Sequence, residues 1–153
     1  MKPRILIVHG PNLNLLGERE PDIYGTATLR DVNRAINHKA RELRIKPVFY
    51  QSNHEGRIID FLHRQRKKAD GLVINPGALT HYSYALHDAI IGICLPAVEV
   101  HLSDIHNREE FRRISVTQHA CLKQISGKGI AGYVEGVEFI ADVLQSESDA
   151  QTF

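Results

Sequence analysis

A doubly wound α/β sandwich with five parallel strands is the fold the sequence predicts, on three observations. Short apolar runs alternate with longer amphipathic ones along all 153 residues. The short runs are mostly apolar throughout rather than alternating, as strands covered on both faces require. Strand-helix units follow one another five times with no repeat, low-complexity segment or linker between them, so right-handed crossovers place helices on both faces in a flavodoxin-like arrangement.

The first strand is RILIVHG from Arg4, and a long connection, Gly10 to about Ala27, leads to the helix TLRDVNRAINHKARELR. Leu29, Val32, Ala35, Ile36 and Leu43 fall on one side of that helix. PVFYQS from Pro47 is the second strand, followed by the helix EGRIIDFLHRQRKKA with Ile58, Ile59 and Leu62 inward. GLVINPG from Gly71 is the third strand; Pro76-Gly77 breaks it, and Thr80 is placed to cap the helix in HYSYALHDAIIG. PAVEVHLS from Pro96 is the fourth strand, with a short helix in NREEFRRIS after it. The shorter strand LKQISG from Leu122 and a final helix, GIAGYVEGVEFIADVLQ, complete the set. Residues 1–153 read as a single catalytic domain, with a lid at about 10–27 and a polar tail that frays after about Gln145.

Composition narrows the function classes. No apolar run reaches the roughly 18 to 20 residues of a membrane span, and MKPRILIVHG lacks a signal-peptide core. Nineteen basic and 18 acidic residues are interleaved, with no stripe for nucleic acid; the cluster from His63 to Asp70 reads as a solvated helix end. Cys94 and Cys121 have neither metal nor disulfide spacing and read as buried or half-buried free thiols, which suits a cytoplasmic location.

In an open parallel sheet, ligands bind beyond the carboxyl ends of the strands. The loop after the first strand is too long for a plain connection and is not a phosphate cradle, because neither a dinucleotide fingerprint nor a Gly-Lys-Ser/Thr ending is present. It offers Asn12, Asn14, Arg19 and Tyr24; the two asparagines also fit simple turn roles. After the third strand, Asn75 and His81 stand where a ligand would meet them, and His81 equally fits a structural histidine. Glu99 and His101 are two apart and share a strand face, which Ser103 continues. A carboxylate beside an imidazole fixes its tautomer and raises its proton affinity, as acid-base chemistry requires. Arg108 and Arg112, four apart, present two guanidinium groups to one pocket or to solvent.

No Gly-x-Ser-x-Gly elbow supports Ser103 as a nucleophile, no three-ligand cluster has metal spacing, and no lysine ends one of the first four strands for a Schiff base. An acid-base pocket is left. A non-catalytic flavin-binding protein is the reading from another class, and the first loop lacks the Ser/Thr/Gly run that a flavin phosphate wants. A catalytically dead structural oligomer would more naturally have lost Tyr24 or His101, and a related lyase acting on another hydroxy-keto acid stays open.

GPNLNLLGEREPDIYG, INPGALTHYS and EVHLSDIHNREEFRR closely resemble type II 3-dehydroquinate dehydratase over nearly the whole chain. The resemblance implies an enzyme whose trimers assemble into a dodecamer. It would convert 3-dehydroquinate to 3-dehydroshikimate with neither cofactor nor metal, in the shikimate pathway or in quinate breakdown. Tyr24 then corresponds to the base that removes the C2 proton, Arg19 and Arg108 to the cations that favour its phenolate, and Asn12 to the holder of a water on the enolate. His101, oriented by Glu99, corresponds to the acid for the departing hydroxyl. Asn75, His81, Leu102, Ser103 and Arg112 match substrate contacts, and Asp88 matches a residue that reaches a neighbouring subunit's site. Position 104 departs from the pattern with Asp for an expected Asn; Asp104 is predicted to cap the next turn rather than disturb the pocket.

Overall fold

The computed structural model describes residues 1–152. Five parallel strands, β1 (Arg4–His9), β2 (Lys46–Gln51), β3 (Gly71–Asn75), β4 (Ala97–His101) and β5 (Lys123–Ser126), form one sheet in the order β2-β1-β3-β4-β5. β3 and β4 are buried along their whole length, as their unbroken apolar runs predict.

α1 (Pro21–Tyr24) is a single turn inside the long first loop, and α2 (Leu29–Leu43), α3 (Glu55–Gln65), α4 (Tyr84–Gly92) and α5 (Ile130–Gln151) are the layer helices. One core, built on Ile5, Ile7, Val73, Val98 and Val100, is closed by Val32 and Ile36 of α2 and by Tyr133, Val137 and Ile140 of α5. The other, built on Leu6, Val8, Leu72 and Ile74, is closed by Ile58 and Leu62 of α3 and Leu86 and Ile90 of α4. Alternate residues of the same strands thus feed opposite cores. α2 starts sharply because Thr28 and Asp31 form a reciprocal capping box, with Asp31 N 3.2 Å from Thr28 Oγ1 and Thr28 N 2.9 Å from Asp31 Oδ2.

Several expectations need correction. Ser83, not Thr80, caps α4, its Oγ accepting from Leu86 N at 3.0 Å; Thr80 is buried and turned towards β4. NREEFRRIS forms 3-10 turns at Ile105–Asn107 and Glu110–Arg112 instead of a helix. α3 stops at Gln65, before the dense cations that the sequence had put inside it. α5 continues to Gln151 rather than fraying after Gln145, aided by a hydrogen bond from Gln145 to Asp149. Cys94 is exposed, at a positive φ of 56° just past α4, and Cys121 is half-buried.

Candidate active site

The sheet order reverses between β1 and β3, so their loops diverge and leave a crevice. A cavity of about 210 Å³ lies there, at the carboxyl ends of β1, β3 and β4. Its wall includes Asn12, Arg19, Tyr24, Asn75, His81, His101, Leu102, Ser103, Arg108 and Arg112. The two loops that frame it meet backbone to backbone. A Cβ on Gly10 would lie 2.4 Å from the Pro76 carbonyl oxygen, and one on Gly77 would lie 2.9 Å from that of Pro11. Gly77 also has a φ of +58°.

The lid side is held by two apolar pins, Leu13 and Leu16, sunk in the core beside α2. Between them and α2 the chain is largely exposed and bends through positive φ at Gly17 (89°), Glu20 (38°) and Gly25 (80°). Tyr24, ending α1, is half-buried against the same core. Arg108 Nη1 donates to its hydroxyl at 2.8 Å, and the Arg19 and Arg108 guanidinium carbons each lie 5.4 Å from its ring centroid. The Asn12 amide N–H is tied to Asn53 Oδ1 at 2.9 Å, while Asn14 meets Gln51 at 3.4 Å and is not in the wall.

The strand side is buried. His101 Nε2 lies 3.0 Å from Glu99 Oε2; the carboxylate can only accept, so Nε2 carries the proton and Nδ1 is the nitrogen available to a ligand. Burial alone would raise the Glu99 pKa, but hydrogen bonds from His101, Thr117 and Gln124 and the charge on His101 outweigh it and hold the carboxyl at about 2. The Leu102 and Ser103 carbonyls accept from Gly129 N and Gly127 N, both at 3.1 Å, which fixes that segment. His81 Nδ1 donates to the Ile114 carbonyl at 2.7 Å, so Nε2 is its remaining acceptor. Burial pushes its pKa below the ordinary value, and the neighbouring His101 and Arg112 act in the same direction.

Beneath Asn75 lies a network that no motif or spacing announces. His9 ends β1, 1% exposed, with Nε2 2.8 Å from Asn33 Oδ1 and Nδ1 3.0 Å from the Tyr133 hydroxyl. Burial lowers its pKa to about 4, against the raising effect of Asn33. The neutral ring therefore donates through Nε2 and accepts the Tyr133 hydroxyl proton at Nδ1. Asn75 receives the Gly77 N–H on Oδ1 at 3.0 Å, which orients its carboxamide.

Asp88 is not in the cavity wall; it is an exposed residue of α4, 3.0 Å from His87 Nδ1. Asp104 does cap the following turn: Oδ1 accepts from His106 N at 3.0 Å and Oδ2 from Asn107 Nδ2 at 2.6 Å. Arg108 and Arg112 both reach the cavity, although from separate turns and not from one helical face. Among the described residues, no group of three or more His, Cys, Asp and Glu is placed to hold a metal ion. No helix there is long and apolar enough to cross a membrane.

Residues 3–141 match the family described as dehydroquinase class II. The chain belongs to that family. A 3-dehydroquinate dehydratase of Halothermothrix orenii is 50% identical over 145 residues, 95% of this chain and 98% of the relative. One from Caldicellulosiruptor bescii is 52% identical over 142 residues, 92% and 98% of the two chains. The type II dehydroquinase structure from Butyrivibrio crossotus superposes with a TM-score of 0.89 at 45% identity, covering 91% of this chain and 97% of that one. Membership in this hydro-lyase family accords with the resemblance carried by the loops after β1, β3 and β4.

Proposed function

We propose that the chain dehydrates 3-dehydroquinate to 3-dehydroshikimate through an enolate. The observation that carries this reading is a phenol bonded to a guanidinium on one side of the cavity and a carboxylate-bound imidazole on the other. In the forward direction Tyr24, as phenolate, takes the C2 proton beside the ketone. Arg108 and Arg19 stabilise the negative charge on its oxygen before the transfer. The electron pair moves into the enolate, whose oxygen is held by a water on Asn12. The enolate then re-forms the ketone and expels the C1 hydroxyl, which takes the Nδ1 proton of a doubly protonated His101 ring and leaves as water, the ring keeping its Nε2 proton on Glu99. Glu99 holds the imidazole through this step.

Arg112 and the backbone at Leu102 and Ser103 suit a substrate carboxylate, and Asn75 and His81 Nε2 suit its hydroxyls. Residues 10–27 act as a lid that brings base and cation to the substrate together and keeps water out. Residues 1–153 are taken as one catalytic domain needing neither cofactor nor metal. The chain works in the cytoplasm as a dodecamer built from trimers, with Asp88 reaching a neighbouring subunit's site, and serves the shikimate pathway or quinate breakdown.

An ultraviolet assay tests the reading: chelator-treated protein with 3-dehydroquinate is expected to form the conjugated enone of 3-dehydroshikimate, and Tyr24→Phe to form it at least about 100-fold more slowly. Enone formation at a near-normal rate by the variant would remove Tyr24 from its role. No enone from the folded wild type would remove the substrate.

A further inference from the structure

Glu99 is 0% exposed, on a strand otherwise walled with Ala97, Val98 and Val100. A carboxylate buried there is strongly disfavoured unless its lone pairs are met by donors. His101 supplies one donor at 3.0 Å. The other contacts come from outside β4, from three separate pieces of chain. Thr80, in the 3-10 turn after β3, donates to Oε1 at 3.0 Å. From the segment before β5, Ser115 donates to Oε2 at 2.8 Å and Thr117 to Oε1. Gln124, on β5, donates to Oε2 at 2.6 Å.

The three hydroxyls also touch one another: Thr80 Oγ1 is 2.7 Å from both Ser115 Oγ and Thr117 Oγ1. The Ser115 oxygen accepts from Gln118 N at 3.0 Å, and Val116 N binds the Thr80 carbonyl at 2.7 Å, locking the two segments together. Five donor groups surround two oxygens that offer an ordinary four lone-pair sites, and the three hydroxyls share their single protons between Glu99 and one another. The His101 N–H and the Gln124 NH2 group, as they face Glu99, can only donate to it. The titratable groups that face Glu99 are His101 on β4, His81 at the end of the 77–81 turn and Cys121 before β5. The Cys121 thiol is pushed up to about 12, by burial first and by the charge of Glu99 second.

We infer that Thr80, Ser115, Thr117 and Gln124 are positioning residues: a hydroxyl and amide cage that holds the Glu99 carboxylate in one orientation and one charge state, and through it the His101 imidazole. None of the four lines the cavity, so they act on a substrate only through Glu99 and His101. The catalytic part of this inference rests on the dehydratase reading. Losing one cage donor leaves Glu99 free to turn or to take a proton, and His101 then loses the partner that fixes its tautomer.

The test uses Thr117→Val, which removes a hydroxyl and little volume, and Gln124→Leu on the half-buried edge strand, where folding is less at risk. Two readouts are taken. The first is the proton resonance of the His101 Nε2–H in the ligand-free protein, assigned by its loss in His101→Asn. It should lie far downfield in the wild type and move upfield in both variants. The second is turnover of 3-dehydroquinate: kcat should fall about tenfold with KM changed less than about twofold, and Thr117→Ser should restore it. Folded Thr117→Val and Gln124→Leu proteins that keep the wild-type resonance, or the wild-type kcat, would overturn the cage. So would a kcat loss that Thr117→Ser does not repair, because packing alone would then explain it. If the wild type makes no enone, the dehydratase reading fails, and the resonance by itself decides whether the cage holds His101.

Discussion

Tyr24 and His101 face one cavity from regions built in opposite ways. The lid that carries Tyr24 and Arg19 is pinned by Leu13 and Leu16 but otherwise mostly exposed, and its polar contacts are few. The strand-end region that carries His101 is buried, and its polar atoms are bonded several times over. A base delivered by a loop can withdraw to admit substrate. An acid whose tautomer has to be correct gains from a rigid shell that excludes other arrangements. The comparison teaches where stability and activity are coupled: at the strand ends a change costs both, and at the lid it costs activity alone.

The largest expected effect breaks the two apart. Glu99→Gln leaves buried donors facing an amide group and should lower stability by about 3 kcal/mol or more as well as activity. Tyr24→Phe, which already serves to test the mechanism, should leave the unfolding midpoint within about 0.5 kcal/mol of wild type. Urea unfolding of the two variants side by side checks this, and equal losses would show that the lid is as integral as the strand ends.

The next prediction concerns pH and belongs to the buried region. The Glu99 carboxyl is held at about 2 in place of 4.5, so the stability it adds is complete above 4.5 and is lost as pH falls towards 2. His9 is held at about 4 in place of 6.5; the unfolded chain takes up its proton first, so stability is lost as pH falls from 6.5 to 4. Both act in the same direction. Between pH 7 and pH 4 the protein should lose about 3 kcal/mol, most of it through His9, measured as a falling urea midpoint. An unchanged midpoint across that range would mean that His9 is not kept neutral in the fold.

The smallest effect is expected at the rim. Asp104 spends both carboxylate oxygens on the turn at Ile105–Asn107, so Asp104→Asn, which keeps an acceptor, should change KM for 3-dehydroquinate by less than about threefold. A large fall in KM would instead show that the Asp104 charge opposes the substrate carboxylate.

What could be read in advance follows from the range of the forces involved. Strand and helix periodicity is a local property, and it located all five strands and the four layer helices, though not the ends of α3 and α5. It failed where short-range signals conflict with tertiary contacts. NREEFRRIS has helical charge spacing, yet the chain there is drawn into separate turns. Thr80 has a capping side chain, yet Glu99 lies 3.0 Å away across the core and takes its hydroxyl. Ser115 and Thr117 stand beside a bend, where neither strand nor helix periodicity applies, so nothing local says that their hydroxyls turn inward.

Local pattern carries the alternation of strands and helices and the acid-base character of the cavity, and three loop motifs carry the family. It takes the packed sheet to show that Arg108 bonds Tyr24 across 84 positions, that His9 is locked to Tyr133 across 124, and that Glu99 gathers donors from three further segments. The reason is physical. A side chain's partner in a folded core is set by which surfaces the sheet order brings together, and parallel crossovers separate in sequence the groups that they join in space.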